Sequence, residues 1–230
     1  MKVPHIAVPR RDPRGRWDLR DAKALQHRLR ERVETNDRLG PVRRVAGSDV
    51  SYDRGNATLY AAVVVLDPRT LQTVETSTAV SRVEFPYIPG FLSFRETPAI
   101  LEAFSRLTRK PDLLMVDGHG LAHPRSFGIA SHLGVLLDVP AIGVAKSVLV
   151  GDVGEPETER GSVAPLTLRG RRIASVVRTR TGVAPVYVSI GHRVALPSAV
   201  RWTLRTGAGY RIPEPTRRAH LAVNALRNAS

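Results

Sequence analysis

The sequence predicts a mixed α/β fold in which a central sheet is flanked by helices. Three observations lead there. Three segments with strand-like apolar patterning follow one another early in the chain, separated by turn residues. After Phe85 the pattern changes to helical periodicity alternating with short, fully apolar runs. The hydrophobic content is 42% over 230 residues, which provides ample core for a folded domain.

The elements follow in order. Residues 1–16 are rich in proline and arginine and lack any period, so they read as a flexible basic arm, and 17–230 read as a single domain. "WDLRDAKALQHRLRERV" sets Leu19, Ala22 or Ala24, Leu25 and Leu29 at helical spacing. "VRRVAGSDVSY" leads through Gly55-Asn56 to "ATLYAAVVVLD", and Asp67-Pro68 turns that strand into "TVETSTAVSRVEF". This is an antiparallel meander. Next come a helix in "FRETPAILEAFSRL", a buried strand in "DLLMVDG", a helix in "SFGIASHLGVLLDV" and a second buried strand in "PAIGVA". "RIASVVRTR" and "PVYVSIG" read as further strands, and "SAVRWTLRT" and "PTRRAHLAVNALRN" as closing helices. The segment beginning "GDVGEPETERGSVAPL" reads as a surface excursion. Three antiparallel strands followed by helix, strand, helix and strand is the order of the ribonuclease H-like fold, whose later strands are parallel. A doubly wound nucleotide-binding fold would alternate from its first strand.

Charge narrows the function. Lys and Arg total 35 against 21 Asp and Glu, a formal net charge of +14. Most of the excess is arginine, which suits bidentate phosphate contacts. A polyanion partner, most simply nucleic acid, is the better reading, and arginine-rich codon usage is the bland one. No stretch approaches the roughly 18 apolar residues of a membrane span. The N-terminus lacks an apolar signal core, so the chain reads as cytoplasmic. With no cysteine there is neither a disulfide nor a thiolate-bound metal. The absence of HExxH, Gly-x-Ser-x-Gly and P-loop motifs argues against zinc hydrolysis, serine hydrolysis and nucleotide hydrolysis.

Asp49 interrupts an otherwise apolar strand. Alternation puts Val45, Gly47, Asp49 and Ser51 on one face and Val50 and Tyr52 on the other. A mid-strand carboxylate is costly unless it is paired with a cation, an arginine or a metal ion. Asp117 closes the apolar run of "DLLMVDG" at the carboxyl end of its strand, where open α/β sheets collect ligands. If that strand lies parallel beside the first, the two carboxylates face one another and call for a shared hard cation, Mg²⁺ or Mn²⁺. Glu96, read as one position into a helix, either adds a third carboxylate or merely complements the helix dipole. Lys146 ends the neighbouring strand at the same edge, or is a solvated terminus. "GHGLAHPRSFG" holds a weak Gly-x-Gly signal; His123 and Arg125 either face a phosphate or His123 closes the turn. His220, early in the last helix, reads by itself as solvent-facing. His5, His27, His119, His132 and His192 offer no ligand spacing. "PYIPGFLSFRE" is either a hydrophobic turn tucked under a helix or a tool held out to a ligand.

Together, "GSDVSY", "PYIPGFLSFRE", "DGHGLAHPRSFGIASHLG", "IGVAKS" and "RIPEPTRRAH" resemble, in that order, the endonuclease V family of deaminated-base repair nucleases. The resemblance runs from roughly Asp49 to His220 and leaves residues 1–16 and 151–165 without a role. It implies the ribonuclease H-like fold and Mg²⁺ as cofactor, with Mn²⁺ able to substitute. It also implies cleavage of the second phosphodiester bond 3′ to deoxyinosine, leaving a 3′-OH and a 5′-phosphate. Asp49 and Asp117 match the metal-binding aspartates, with Glu96 and His220 beside them and Lys146 near the phosphate. Tyr87, Ile88, Pro89 and Gly90 match the strand-separating wedge. Arg95, Gly118, Gly120, His123 and Lys146 would join them in contacting DNA. An ion held by the aspartates would stabilise charge on the phosphate, while Glu96 or His220 orients a water or a second ion. The implied partner is DNA carrying deoxyinosine or other deaminated bases, bound by a monomer without a membrane. Two other readings stand beside this one: a nuclease acting on inosine in RNA, and a nucleic-acid-binding protein without catalysis. Against the last, a mere binder gains nothing from carboxylates that face phosphates.

Overall fold

The computed structural model describes residues 9–12, 14–55 and 57–229. The arm predicted for 1–16 therefore falls partly outside the described residues, as does Asn56 of the first turn. Residues 9–12 and 14–16 are tied to the start of the first helix: the Asp18 N–H donates to the Arg10 carbonyl at 2.8 Å, and Arg11 lies 4.2 Å from the Trp17 ring centroid.

Helix α1 (Leu19–Arg30) is capped by the Asp18 carboxylate, which accepts from the Arg20 N–H at 2.8 Å. It buries Ala22, Leu25 and Leu29 against Phe85, Phe91, Phe94 and Phe127. Strands β1 (Val45–Tyr52), β2 (Thr58–Leu66) and β3 (Thr73–Arg82) form the expected antiparallel meander. Then follow α2 (Leu92–Ser105), β4 (Leu113–Val116), α3 (Ile129–Leu137) and β5 (Ala141–Ala145). Strand β4 lies parallel between β1 and β5, with Ser48 opposite Val116 and Val116 opposite Gly143. Its alternate residues face different layers: Leu114 and Val116 meet the α2–α3 side, and Leu113 and Met115 meet the α4–α5 side.

The sheet runs further than the sequence suggested. After β5 it continues through antiparallel β9 (Val186–His192), β8 (Arg171–Val177), β7 (Val163–Leu168) and β6 (Asp152–Val153). The full order is β3-β2-β1-β4-β5-β9-β8-β7-β6. The segment read as a surface excursion thus supplies β6 and the start of β7. Ala164 and Leu166 are buried while Val163 and Pro165 face out, a short alternation inside a charged, glycine-bearing stretch. Helices α4 (Leu196–Arg205) and α5 (Glu214–Asn228) cover the second face, with Trp202 and Ala219 packed on Val45 and Val64.

Two glycines bring the site together. At Gly47 of β1 a Cβ would overlap the Pro215 backbone, so the start of α5 crosses β1 in direct contact. At Gly143 of β5 a Cβ would collide with the backbone of His119 and Gly120, so the loop after β4 lies close over β5.

Candidate metal and nucleic-acid site

The carboxyl ends of β1, β4 and β5 meet the outward face of α5. Asp49, fifth residue of β1, is 9% exposed and directed to the α5 side, as strand alternation requires. Its Oδ2 lies 2.7 Å from His220 Nδ1, and its Oδ1 accepts the Val50 N–H at 2.8 Å. Asn224 stands one turn below His220 and places its Nδ2 3.0 Å from Nε2, which leaves the Nδ1 proton for Asp49. Asp117 directly follows β4, its N–H donating to the Ser48 carbonyl at 3.2 Å, and its carboxylate forms an ion pair with Lys146 just past β5. Asp49, Asp117 and His220 each offer a ligand atom, all within 4.8 Å of one another.

This donor set fits a divalent cation. Burial, and next the neighbouring Asp117 charge, push the Asp49 carboxyl above its usual range, so a cation placed between the two carboxylates would relieve their repulsion. Two carboxylates and an imidazole can ligate a divalent cation, and three donors leave positions for water.

Glu96 is outside this ligand triad but within electrostatic reach of both aspartates. It is the fifth residue of α2, beyond the first turn, so a simple dipole role does not account for it. The helix starts earlier than the sequence suggested, with Leu92 and Ser93 in its first turn. The Tyr52 hydroxyl donates to Glu96 Oε1 at 2.8 Å. Burial, helped by the charges of Asp49 and Asp117, raises its pKa to about 8.

The loop before α2 divides into an anchored rear and a free tip. Phe85 and Phe91 are buried, and Ile88 is half-buried on the same cluster, contrary to its expected exposure. The Gly90 carbonyl, at a φ of +79°, accepts from Gln26 Nε2 at 3.0 Å, from the Arg125 guanidinium and from the His123 ring. Arg125 also covers the Phe91 ring at 4.3 Å. Tyr87 stands out as the loop's exposed aromatic, 69% exposed. It lines a cavity of ≈ 220 Å³ together with Ile88, Gly118, His119, His123 and Leu149. Pro89 and Gly90 share that lining. Three other predicted contacts are engaged by neighbours within the fold. Gly120 is buried against Ile190 and gives its N–H to Ser189 Oγ at 2.8 Å. Arg95 is half-buried with its guanidinium 4.7 Å from the Tyr52 ring centroid. His123 is buried and accepts the Arg125 N–H at 3.2 Å, closing its turn.

With this geometry in hand, comparison with known proteins is direct. The family model for endonuclease V matches residues 26–221. The chain belongs to the endonuclease V family. Endonuclease V of Rhodospirillum centenum is 56% identical over 215 residues, covering 92% of this chain and 90% of that one. The crystal structure of Streptomyces avermitilis endonuclease V is 46% identical with a TM-score of 0.88, covering 96% of this chain and 99% of the other. That of Ciona intestinalis endonuclease V, in complex with a 24mer DNA containing an inosine followed by a ribo-adenosine, is 26% identical with a TM-score of 0.80, covering 92% and 99%. The fold of this endonuclease V chain is accordingly ribonuclease H-like, and the chain is a nuclease. No helix among its described residues is long and apolar enough to cross a membrane.

Sequence reasoning missed Tyr52, Asn224 and His119 in this endonuclease V site. Asn224 was within reach, four residues after His220 on one helix face. Tyr52 ends β1 on the face opposite Asp49, so its contact with Glu96 depends on where α2 lands. His119 was discarded for lack of spacing and is brought to the cavity only by the close passage of its loop over β5.

Proposed function

We propose that this chain is a Mg²⁺-dependent endonuclease that recognises deoxyinosine in DNA and nicks the second phosphodiester bond on its 3′ side. The products are a 3′-OH and a 5′-phosphate, with the lesion retained on the nicked strand. The observation that carries this reading is the juxtaposition, at one sheet edge, of a cation-ready carboxylate pair, an adjoining cavity and the exposed ring of Tyr87. The inosine-containing DNA bound by the Ciona relative supports it.

Asp49, Asp117 and His220 would hold the ion, with Asn224 fixing the imidazole. A divalent ion there supplies Lewis-acid stabilisation of phosphate charge and a water of lowered pKa. Lys146, paired with Asp117, would offset charge on a phosphate oxygen. Glu96, whose pKa burial raises to about 8, would hold a proton near neutrality and, once ionised, orient a water beside the aspartates. Tyr87 fills the gap left in the stack while the hypoxanthine base enters the cavity behind it. Unpairing costs least at a damaged base, which itself favours lesions. Gly118 and the half-buried His119 would meet the base edge. Arg95, Gly120 and His123 act by holding Tyr52, β9 and Gly90 in place.

The enzyme acts as a cytoplasmic monomer on this reading. A second reading, cleavage of inosine-containing strands with a ribonucleotide at the cut position, is favoured by the ribo-adenosine after inosine in the Ciona complex. The test is incubation with a labelled duplex carrying one deoxyinosine, with Mg²⁺ or EDTA, beside matched strands with a ribonucleotide 3′ to the lesion and all-RNA strands. Metal-dependent product one nucleotide beyond the lesion supports the proposal. Cleavage in EDTA, or equal cleavage of undamaged DNA, contradicts it.

A further inference from the structure

The described surface holds a second concave region that neither the metal edge nor the wedge uses. A cleft of ≈ 730 Å³ opens between the β7–β8 hairpin, the end of α1 and the loop after β4. Its floor is apolar, from Leu121, Ile173 and Ile190, and its rim carries Arg30, Arg169, Arg171 and Arg172, with no carboxylate in the lining. Arg172 is engaged, donating to Ser175 Oγ at 2.8 Å and to the Ala174 carbonyl at 3.3 Å. Arg30, Arg169 and Arg171 are exposed and, among the described residues, hold no ion pair. Cations converging without a counter-charge repel one another, and an arriving anion relieves that repulsion.

The hairpin tip adds a separate observation. Leu168 pairs with Arg171, which leaves Arg169-Gly170 as a two-residue turn with φ of +52° and +72°. Positive φ at both central positions is type I′ geometry, which favours Asn-Gly. A long side chain at the first position costs stability, and a residue held in such a conformation points to use. Here the strain puts a guanidinium at the mouth of the cleft.

The cleft and the cavity are built from the same two stretches of chain. The loop after β4 gives Gly118, His119 and His123 to the cavity and Leu121, Pro124 and Ser126 to the cleft. The segment after β5 gives Leu149 to one and Val150 to the other. We propose that the arginine cleft is a second phosphate track, gripping the backbone of the DNA substrate beyond the lesion. This rests on the inosine reading only for which stretch of DNA reaches it.

Two triple variants of the full chain test the track. Arg30→Gln, Arg169→Asn and Arg171→Gln together clear the rim, and asparagine retains the left-handed turn. Arg82→Gln, Arg109→Gln and Arg180→Gln remove equal charge from exposed positions elsewhere. Binding to undamaged and inosine duplexes is followed against salt, with circular dichroism to check the fold and cleavage measured at saturating enzyme. The cleft triple should lose about tenfold or more in affinity and lower the log–log salt slope by about 3, because each phosphate contact contributes about 0.9. The control triple should move the slope by less than about 1, and cleavage at saturation should stay at the wild-type rate in both. On duplexes shortened from one flank, the cleft triple and the wild type should bind alike. Equal effects of the two triples would reduce the cleft to bulk charge and overturn the proposal. Loss of polyglutamate binding with DNA affinity unchanged would instead identify an acidic protein partner and also overturn it. If the wild type fails to nick inosine while the triples still differ, the lesion reading falls and the track stands. If it nicks inosine and the triples bind alike, the track falls.

Discussion

The metal edge and the wedge loop lie side by side, yet the chain builds them in opposite ways. The edge gathers Asp49, Glu96 and Asp117 where water is scarce, and two of the three carboxyls are pushed up by burial and mutual repulsion. The loop buries only apolar groups, satisfies its Gly90 carbonyl three times over and exposes one tyrosine. A buried charge cluster opposes folding until a cation arrives. A packed turn supports folding whether or not DNA is present. Function at the edge therefore trades against stability, and function at the loop does not.

The largest expected effect breaks the edge. Asp117→Asn or Asp49→Asn should lower nicking by about 10³-fold or more, since metal-assisted stabilisation of phosphate charge is worth several kcal/mol. In EDTA the same variants should melt at or above the wild-type temperature, because the repulsion is gone. Lesion binding in a mobility-shift assay should persist. A variant that melts well below wild type would mean that the carboxylates hold the fold together.

The pH dependence of the metal-free protein sharpens the contrast. Glu96 titrates near 4.5 when unfolded and at about 8 when folded. Its contribution is complete below the unfolded value and is lost as pH rises through 8, because the folded state holds the extra proton. Buried His132, held down to about 3, and His123, held down to about 4, act on the other side. The stability from their neutral rings is present above 6.5 and is lost as pH falls towards those values. Melting temperature in EDTA should thus peak near pH 6.5, with an alkaline decline of about 2 kcal/mol from Glu96 between that pH and 8. Glu96→Gln should flatten that decline and leave the acid limb unchanged, as followed by thermal melts from pH 4 to 9. Added Mg²⁺ should stabilise the wild type more at pH 8 than at pH 6.

Smaller effects come from the supporting groups and the loop. Removing a group that orients a metal-binding imidazole typically costs 10–100-fold, so Asn224→Ala should reduce cleavage by about that factor and raise the Mg²⁺ concentration required. Tyr87→Ala should weaken inosine-duplex binding by about 1–3 kcal/mol, the worth of one base–aromatic stack. Its melting temperature should stay within about 2 °C of wild type, because a surface change of this kind is usually within ±0.5 kcal/mol. A substrate already unpaired around the inosine should recover part of the loss. An equal loss on both substrates, with a lower melting temperature, would make Tyr87 a packing residue.

How much of this was legible depends on the distance over which each signal acts. The face of β1 carrying Asp49 follows from strand alternation alone, and the parallel placement of β4 follows from element order. Both were within reach of the sequence. The partner of Glu96 was not, because Tyr52 points away from Asp49 and meets Glu96 only through the start and tilt of α2. In sequence the loop read equally as a tucked turn or a tool held out to a ligand, because Ile88 and Tyr87 are adjacent apolar residues, and only the packing of α1 separates them. The β6–β7 edge was lost because its inward pair, Ala164 and Leu166, sits among charged and turn-forming residues that mask a short alternation.

The most direct measurement is single-turnover cleavage of a duplex carrying one deoxyinosine, with enzyme concentration and Mg²⁺ varied independently for wild type, Asp117→Asn and Tyr87→Ala. If edge and loop are separable devices, Tyr87→Ala should approach the wild-type rate once enzyme saturates the substrate, at an unchanged Mg²⁺ midpoint. Asp117→Asn should stay slow at every enzyme and Mg²⁺ concentration. Recovery of Asp117→Asn at high enzyme, or a Tyr87→Ala rate that remains low at saturation with a shifted Mg²⁺ midpoint, would contradict the division of labour between them.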